Sequence, residues 1–402
     1  VNACIKEIGS KADIIMVCAH AGLTGEFADQ KNADAAQAIL DENPEVDVLQ
    51  VGHYHTTIAN KDGNVVIGGV KNGAVEVARF DLTLDDKNQI VDSKVSTVSM
   101  KDMEPSAEIR GLAAVKTAQD KTLDYVNKSV LGTAAVTFQP ANEIKGLPAG
   151  KLQDTAVMDR INKVQLANSG ADVSAAALFA DTSDIPAGQL TYANIFNIYK
   201  FTNVLYKIEV TGAQLKAYME WSAACYNQWK TGDLSISFNK DKPGYLYDMF
   251  AGVNYEIDLS QPAGSRIKNV TFKGQPLKDD QKLTLAVNDY RFSSGLLKNK
   301  LVPADTKKIW ESSQSIRDML VSYLKQNSPI KPTVDNNWKI TGVDLQTSNP
   351  DRATLISLVN RGLLAVPYNT SLNVSDVAKD KTLLNNVSVN GTVSAIAEYK
   401  TA

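Results

Sequence analysis

Val46-Asp47-Val48-Leu49-Gln50-Val51-Gly52-His53-Tyr54-His55 is the stretch on which the fold turns. Its first six residues are mostly apolar and rich in valine, the pattern of a short buried strand. Gly52 then allows a tight turn, and two histidines follow at i and i+2. If the segment stays extended, both imidazoles point to one face. A second stretch has the same design: Asp13-Ile14-Ile15-Met16-Val17-Cys18-Ala19-His20-Ala21-Gly22, a strand that ends in a histidine and a glycine. The chain holds three histidines in all. A single histidine at a strand end is more often structural than a ligand. Here every histidine sits at a strand end beside a glycine or near another histidine. Neutral imidazole is the commonest metal ligand. Loops at the carboxyl ends of buried strands are where open α/β sheets place their sites. His20, His53 and His55 are therefore candidate metal ligands.

At 402 residues the chain is too long for one ordinary core, and two domains are expected. A hydrophobic content of 44% with 22% charged residues belongs to a globular protein. The net charge of −3 provides no basic footprint for duplex nucleic acid. No apolar run reaches the length of a membrane span. Cys4, Cys18 and Cys225 are an odd number without metal-like spacing, so no disulfide framework is expected. Cys18, inside a strand, is expected in the core.

From residue 1 to about 100 the pattern is α/β. Residues 1–8 have the character of a helix interior. A glycine loop follows the 13–18 strand, then a helix is expected over 32–42, before the strand at 46–51. Further strands are expected at 65–70, 74–84 and 87–100. Residues 102–127 are expected as a polar helix with Ile109, Leu112, Val115 and Leu123 in one stripe. A Gly/Pro break at 142–151 precedes a helix at 152–166. Beyond it, strands at 204–210, 253–259, 266–272 and 283–287 alternate with helices at 212–226, 313–325 and 351–361. The fold class is thus α/β followed by α+β.

Ala19-His20-Ala21-Gly22 and Gly52-His53-Tyr54-His55 resemble the last two metal motifs of the calcineurin-like metallophosphoesterases, in their 5′-nucleotidase branch. The resemblance implies two divalent metals (manganese, zinc, cobalt or iron), with His20 and His53 on one and His55 on the other. It also implies a water-derived nucleophile attacking a phosphate ester. The family's upstream Asp-x-His, bridging Asp and Gly-Asn-His motifs are not in this sequence. The chain is therefore expected to carry the C-terminal part of a metallophosphoesterase β-sandwich, without the family's catalytic histidine. Weak metal binding and no hydrolysis are expected of it alone.

Asn168-Ser169-Gly170-Ala171-Asp172, then 185–196, Phe201-Thr202-Asn203, 211–221 and Ala286-Val287-Asn288-Asp289-Tyr290-Arg291, resemble in order the 5′-nucleotidase C-terminal domain. The Asn-Ser-Gly-Ala-Asp opening and the Lys216-Ala217-Tyr218-Met219-Glu220-Trp221 helix are similar to bifunctional 2′,3′-cyclic-nucleotide 2′-phosphodiesterase/3′-nucleotidases. The expected partition is 1–146 for the partial metallophosphoesterase domain, 147–166 for a hinge helix and 167–402 for the substrate domain. Phe201 and Tyr290 are the implied aromatic clamp for a base. Stacking on such faces contributes about 1–3 kcal/mol per base and accepts any base. Asn168 and Asn203 are candidate polar contacts to the sugar or base. The resemblance implies a monomeric exported enzyme, periplasmic or at the cell surface, whose domains rotate about the hinge. It would hydrolyse 2′,3′-cyclic nucleotides to 3′-nucleotides, and these to nucleosides. The alternatives are a nucleotide-binding module without catalysis, and a 5′-nucleotidase or UDP-sugar hydrolase on the same fold.

Overall fold

The computed structural model describes residues 1–9, 11–24, 35–346 and 348–373. It divides into two compact units, 1–117 and 118–402, each described by itself.

In the first unit, helix α1 (Asn2–Ile8) leads to strand β1 (Met16–Ala19). Helix α2 (Gln37–Glu42) covers part of the expected 32–42 helix, and 32–34 lie outside the described residues. Strands β2 (Val48–Val51), β3 (Ile58–Asp62) and β4 (Val65–Gly69) complete a sheet of order β1-β2-β4-β3. β1, β2 and β4 are parallel, and β3 returns antiparallel to β4. Leu49, Val51 and Ile67 are buried with Ile5, Ile15, Leu40 and Val46, which makes the core of the unit. The antiparallel hairpin β5 (Glu76–Leu84) and β6 (Ile90–Ser99) forms a second layer. Its Phe80 ring lies on Gly68, where a Cβ would come within 2.5 Å of the ring. Only glycine accepts an aromatic ring at that distance.

Cys18, expected in the core, is exposed. β1 is an edge strand of its sheet, and its burial alternates between exposed and half-buried, so the Cys18 face is open.

The expected 102–127 helix is two pieces, α3 (Ala107–Gly111) and α4 (Ala113–Lys128). Leu112 between them is extended (ψ 123°), which ends α3. Neither piece buries a residue, so the stripe of Ile109, Leu112, Val115 and Leu123 is exposed. Its spacing is helical, but spacing alone does not supply a packing partner.

In the second unit, β7 (Val130–Ala134) precedes a short helix α5 (Ala149–Leu152) and helix α6 (Ala156–Ser169). Residues 153–155 therefore interrupt the helix expected over 152–166. Val157, Ile161 and Val164 of α6 are buried in this unit's core, and Gly170 in the left-handed conformation ends the helix. β8 (Val173–Ala177), β9 (Gly188–Thr191), α7 (Tyr192–Ile198), β10 (Val204–Thr211) and α8 (Gly212–Ala223) follow. Thr211 and Gln214 cap α8 reciprocally, which stops β10 and starts the helix without a loop. Next come β11 (Asp248–Ala251), β12 (Val253–Asp258), β13 (Ile267–Phe272), β14 (Gln275–Pro276) and β15 (Lys282–Asn288). β16 (Lys308–Ser315), α9 (Ile316–Asn327), β17 (Trp338–Thr341) and α10 (Pro350–Asn360) complete the unit.

The main sheet has the order β11-β8-β15-β10-β16, and a smaller one the order β14-β13-β12-β17. β7 pairs with β9, so residues from 118 onward, expected with the first domain up to 146, fold with the second unit. β8 is buried along its whole length and β15 along most of it, whereas β10 alternates, with Leu205, Ile208 and Val210 buried and Glu209 exposed; α6 and α8 pack against this sheet. Among the described residues no helix is long and apolar enough to cross a membrane.

Candidate functional site

The parallel register of β1 and β2 sets Ala19 opposite Val51. His20 and Gly52 are the next residues of each strand, so the two histidine motifs leave the sheet side by side. The His20 and His53 rings lie 5.4 Å apart between centroids, edge to face at 76°. Gly52 makes this approach possible, because a Cβ there would stand 3.3 Å from His20 Nδ1. All three histidines are exposed.

The segment after β2 does not stay extended, which corrects the expectation that His53 and His55 share a strand face. His53 (φ 64°) and His55 (φ 51°) are both in the left-handed region. The Tyr54 amide donates to the Gly52 carbonyl at 2.7 Å, closing a three-residue γ-turn about His53. The Gly52 amide donates to Ala21 at 3.1 Å and ties the turn to the end of β1. The Tyr54 ring lies on Gly22, where a Cβ would come within 2.7 Å of it. A non-glycine residue held at positive φ stores strain, and such strain concentrates at functional sites.

Among the described residues, one group of three potential metal ligands converges within 4.8 Å, and it is not the histidines. It consists of Asp154, Asp159 and Asp335 in the second unit. Burial, followed by the charges of Asp159 and Asp335, pushes the Asp154 carboxyl up to about 7. The Asp335 amide donates to Asp159 Oδ2 at 2.7 Å.

The aromatic pair is placed by the main sheet of the second unit. β10 and β15 are antiparallel with Leu205 opposite Asn288. Phe201, just before β10, and Tyr290, just after β15, therefore emerge at the same end of the sheet. Both are open to solvent, at 46% and 49% exposure, as a stacking surface requires and a core aromatic does not. Asn203 joins the two turns: its side-chain amide donates to Asp289 Oδ1 at 2.7 Å. The same oxygen accepts the Tyr290 amide at 2.8 Å. Phe179 meets the Phe201 ring edge-on at 5.1 Å and fixes its plane, and Lys200 Nζ lies 5.0 Å from its centroid. The segment after Tyr290 is a π-helical turn, Arg291–Leu297. Such turns are rare and recur at functional sites. Arg291 at its start is buried, with Nε 2.6 Å from Asp248 Oδ2 and Nη2 donating to the Tyr245 carbonyl at 2.6 Å.

Asn168 is not brought to this place. It lies in the last turn of α6, which feeds the starting end of β8. β8 is parallel to β15, so Asn168 is at the sheet end opposite Tyr290. Its amide donates back to the Val164 carbonyl at 2.8 Å. Phe179, Asp289 and Arg291 join the functional site only in the structure. Position gives Asp289 one signal, since it directly precedes Tyr290. Phe179 carries none, because its role depends on a partner 22 residues away.

Residues 130–297 match the family model described as 5′-nucleotidase, C-terminal domain. The chain is 27% identical over 404 aligned residues to a 2′,3′-cyclic-nucleotide 2′-phosphodiesterase/3′-nucleotidase of Salmonella typhimurium, covering 84% of this chain and 60% of that protein. It is 24% identical to the trifunctional nucleotide phosphoesterase protein YfkN of Bacillus subtilis, over 83% of this chain and 25% of that one. A crystal structure from Staphylococcus aureus assigned as a 5′-nucleotidase superposes with a TM-score of 0.59 at 21% identity, covering 84% of this chain and 66% of that one. The likeness to that structure is one of fold. The chain spans about 60% of the length of the Salmonella relative.

Proposed function

Residues 130–297 belong to the 5′-nucleotidase C-terminal domain family, and from that premise we propose that the chain serves metal-dependent hydrolysis of nucleotide phosphoesters. The activity proposed is that of a 2′,3′-cyclic-nucleotide 2′-phosphodiesterase and 3′-nucleotidase. The observation that carries the reading is the Asn203–Asp289 hydrogen bond, which holds two exposed aromatics at one sheet end.

In this reading Phe201 and Tyr290 stack on the nucleobase. Asn203 and Asp289 set the separation of the two turns. Desolvating a planar ring between aromatic faces supplies affinity without regard to base identity. Asn168 has no part in this site. His20 and His53 would hold one divalent ion and His55 would contribute to a second. The Cβ-free edge at Gly52, into which His20 turns, supports the pairing. A metal bound there would polarise a phosphoryl oxygen and acidify water. The residues themselves supply imidazole nitrogen from two strand ends whose register is fixed by the sheet. Export to the periplasm or the cell surface and a monomeric state belong to the same proposal and rest on the family resemblance.

A second reading, a nucleotide-binding module without catalysis, draws on one observation: the family match covers residues 130–297, the part of the chain that carries the aromatic pair.

The test is a substrate panel with the purified chain in Mn²⁺ or Zn²⁺: 2′,3′-cyclic AMP, 3′-AMP, 5′-AMP and a UDP-sugar. Phosphate release from the first two supports the proposal and overturns the expectation that the chain alone does not hydrolyse them. Release from the last two alone reassigns the chain to 5′-nucleotidase or UDP-sugar hydrolase chemistry. Nucleoside binding without release on any of them leaves the binding module.

A further inference from the structure

Beside the clamp lies a cavity of about 350 Å³, lined by Lys151, Phe179, Asp181, Gly244, Tyr245 and Tyr368, among others. Its volume is within the range of small-molecule pockets. Two of its walls are shared with the clamp's own supports. Phe179 packs edge-on against Phe201, and the Tyr245 carbonyl is held by Arg291, the residue after Tyr290.

The back of the cavity is polar and built at some cost. Lys151 is 4% exposed, and its ammonium pairs with Asp181 and donates to the Tyr368 hydroxyl at 2.8 Å. The Phe238 and Tyr368 rings lie 5.6 Å and 5.4 Å from Nζ. Gly244 leaves the space that Nζ occupies, since a Cβ there would come within 2.3 Å of it. Burying an ammonium is expensive unless it is paired, and apolar residues would fill the same volume at less cost. The pair is also asymmetric. Lys151 is enclosed, whereas the Asp181 side chain is 43% exposed. Lys151 thus anchors one carboxylate oxygen and leaves the group presented to the cavity as a fixed acceptor.

We propose that this cavity is a polar subsite continuous with the aromatic clamp, in which Asp181 accepts a hydrogen bond from a neutral donor of the bound nucleoside. The donor is a sugar hydroxyl or the exocyclic amine of the base. An anionic phosphate is disfavoured, because Lys151 is already neutralised by the very carboxylate that faces the ligand. Asp181 is a specificity-determining residue in this scheme, and Lys151 and Tyr368 are positioning residues. The inference rests on the clamp reading given above.

The test is titration calorimetry of the full chain with adenosine, its 2′-, 3′- and 5′-deoxy forms, purine riboside and inorganic phosphate. The proteins compared are the wild type, Asp181→Asn, Tyr245→Ala and Phe201→Ala. A hydrogen bond to a charged group contributes about 1.5–3 kcal/mol, so Asp181→Asn is expected to weaken adenosine binding on the order of tenfold to a hundredfold. The deoxy form or purine riboside that lacks the bonded donor binds both proteins alike, which separates sugar from base. Tyr245→Ala, which leaves the Lys151–Asp181 pair intact, also weakens adenosine and carries the test if Asp181→Asn does not fold. Unchanged adenosine binding in both wall variants, with loss in Phe201→Ala, overturns the subsite and keeps the clamp. A loss that persists in every analogue, or tighter phosphate binding to the wild type than to Asp181→Asn, also overturns it. Unchanged adenosine binding in Phe201→Ala overturns the clamp reading itself.

Discussion

Asn203 and Asp289 lie 86 positions apart and share a 2.7 Å hydrogen bond that ties the turn bearing Phe201 to the turn bearing Tyr290. The bond spans the mouth of the antiparallel pair β10 and β15. Neither side chain need touch a ligand for the pair to matter, since together they set where the two aromatic faces stand.

Asn203→Ala is therefore expected to act on recognition and to leave chemistry unchanged. A net hydrogen bond contributes about 1 kcal/mol, and one to a charged group about 1.5–3 kcal/mol. KM for a nucleotide substrate should rise roughly fivefold to a hundredfold with kcat little altered. A fall in kcat at constant KM, in steady-state kinetics on an active preparation, contradicts a purely positioning role.

Phe201→Ala removes a stacking face outright. At about 1–3 kcal/mol per stacked base, nucleoside affinity should drop roughly fivefold to 150-fold, and by similar factors for purines and pyrimidines. Calorimetric titration of adenosine and cytidine provides the check. A loss confined to one of them places Phe201 in base selection and contradicts the clamp.

His53→Ala should cut divalent-metal affinity and, in a preparation that hydrolyses nucleotides, abolish metal-dependent hydrolysis. Gly52→Ala should weaken the metal more mildly, because its Cβ would stand 3.3 Å from His20 Nδ1 and push the ring aside. Competition titration with a chromogenic chelator measures both without any assay of activity. Metal affinity of His53→Ala equal to wild type removes this histidine from the ligand set.

Asp154 provides a pH prediction. Its carboxyl is raised from 3.8 to about 7 in the folded protein, first by burial and then by Asp159 and Asp335. The folded state thus holds a proton that the unfolded state releases near pH 3.8. This group's stabilising contribution is whole below pH 3.8, declines as pH rises towards 7, and is flat above that. Asp154→Asn keeps the shape and removes the charge. Its melting temperature relative to wild type should climb between pH 4 and 7 and then level off. A difference constant across that range shows that Asp154 does not titrate as proposed.

Asp248→Ala should cost about 3–5 kcal/mol of stability, because it strands the buried Arg291 guanidinium. It also leaves the Tyr218 hydroxyl, which donates to Asp248 at 2.8 Å, without its acceptor. Chemical denaturation measures the loss, and a change below 1 kcal/mol shows that water re-solvates the arginine.

Much of this architecture is legible in the sequence. Strands such as β4, β10, β12 and β15 declare themselves through apolar runs or alternation, because burial on one or both faces leaves a periodic trace. The positions of His20 and His53 follow from the same trace, since strand ends in a parallel sheet lie together. The turn at His53 does not follow, because nothing in Gly-His-Tyr-His shows that the backbone reverses into positive φ. The expectation for Asn168 fails for a topological reason. A helix tail and a strand exit look alike locally, and only the parallel pairing of β8 with β15 shows that they lie at opposite ends. The Lys151–Asp181 pair left no trace either. Charged residues 30 positions apart have the same appearance whether buried together or solvated separately. The 102–127 stripe failed in the converse way, through a correct period whose face is open.

The antiparallel register that sets Leu205 opposite Asn288 has one more consequence. A grip carried on two adjacent strands is rooted in the backbone ladder, since neighbouring strands stand about 4.8 Å apart whatever their side chains. Changing the length of a distant loop would not shift the roots of its two turns. Aromatic faces accept any flat ring, so selectivity among nucleotides must come from the groups that meet the edges of the ring. Variation that retunes substrate choice should therefore gather in the segments around 178–184 and 243–247, while β10 and β15 keep their lengths.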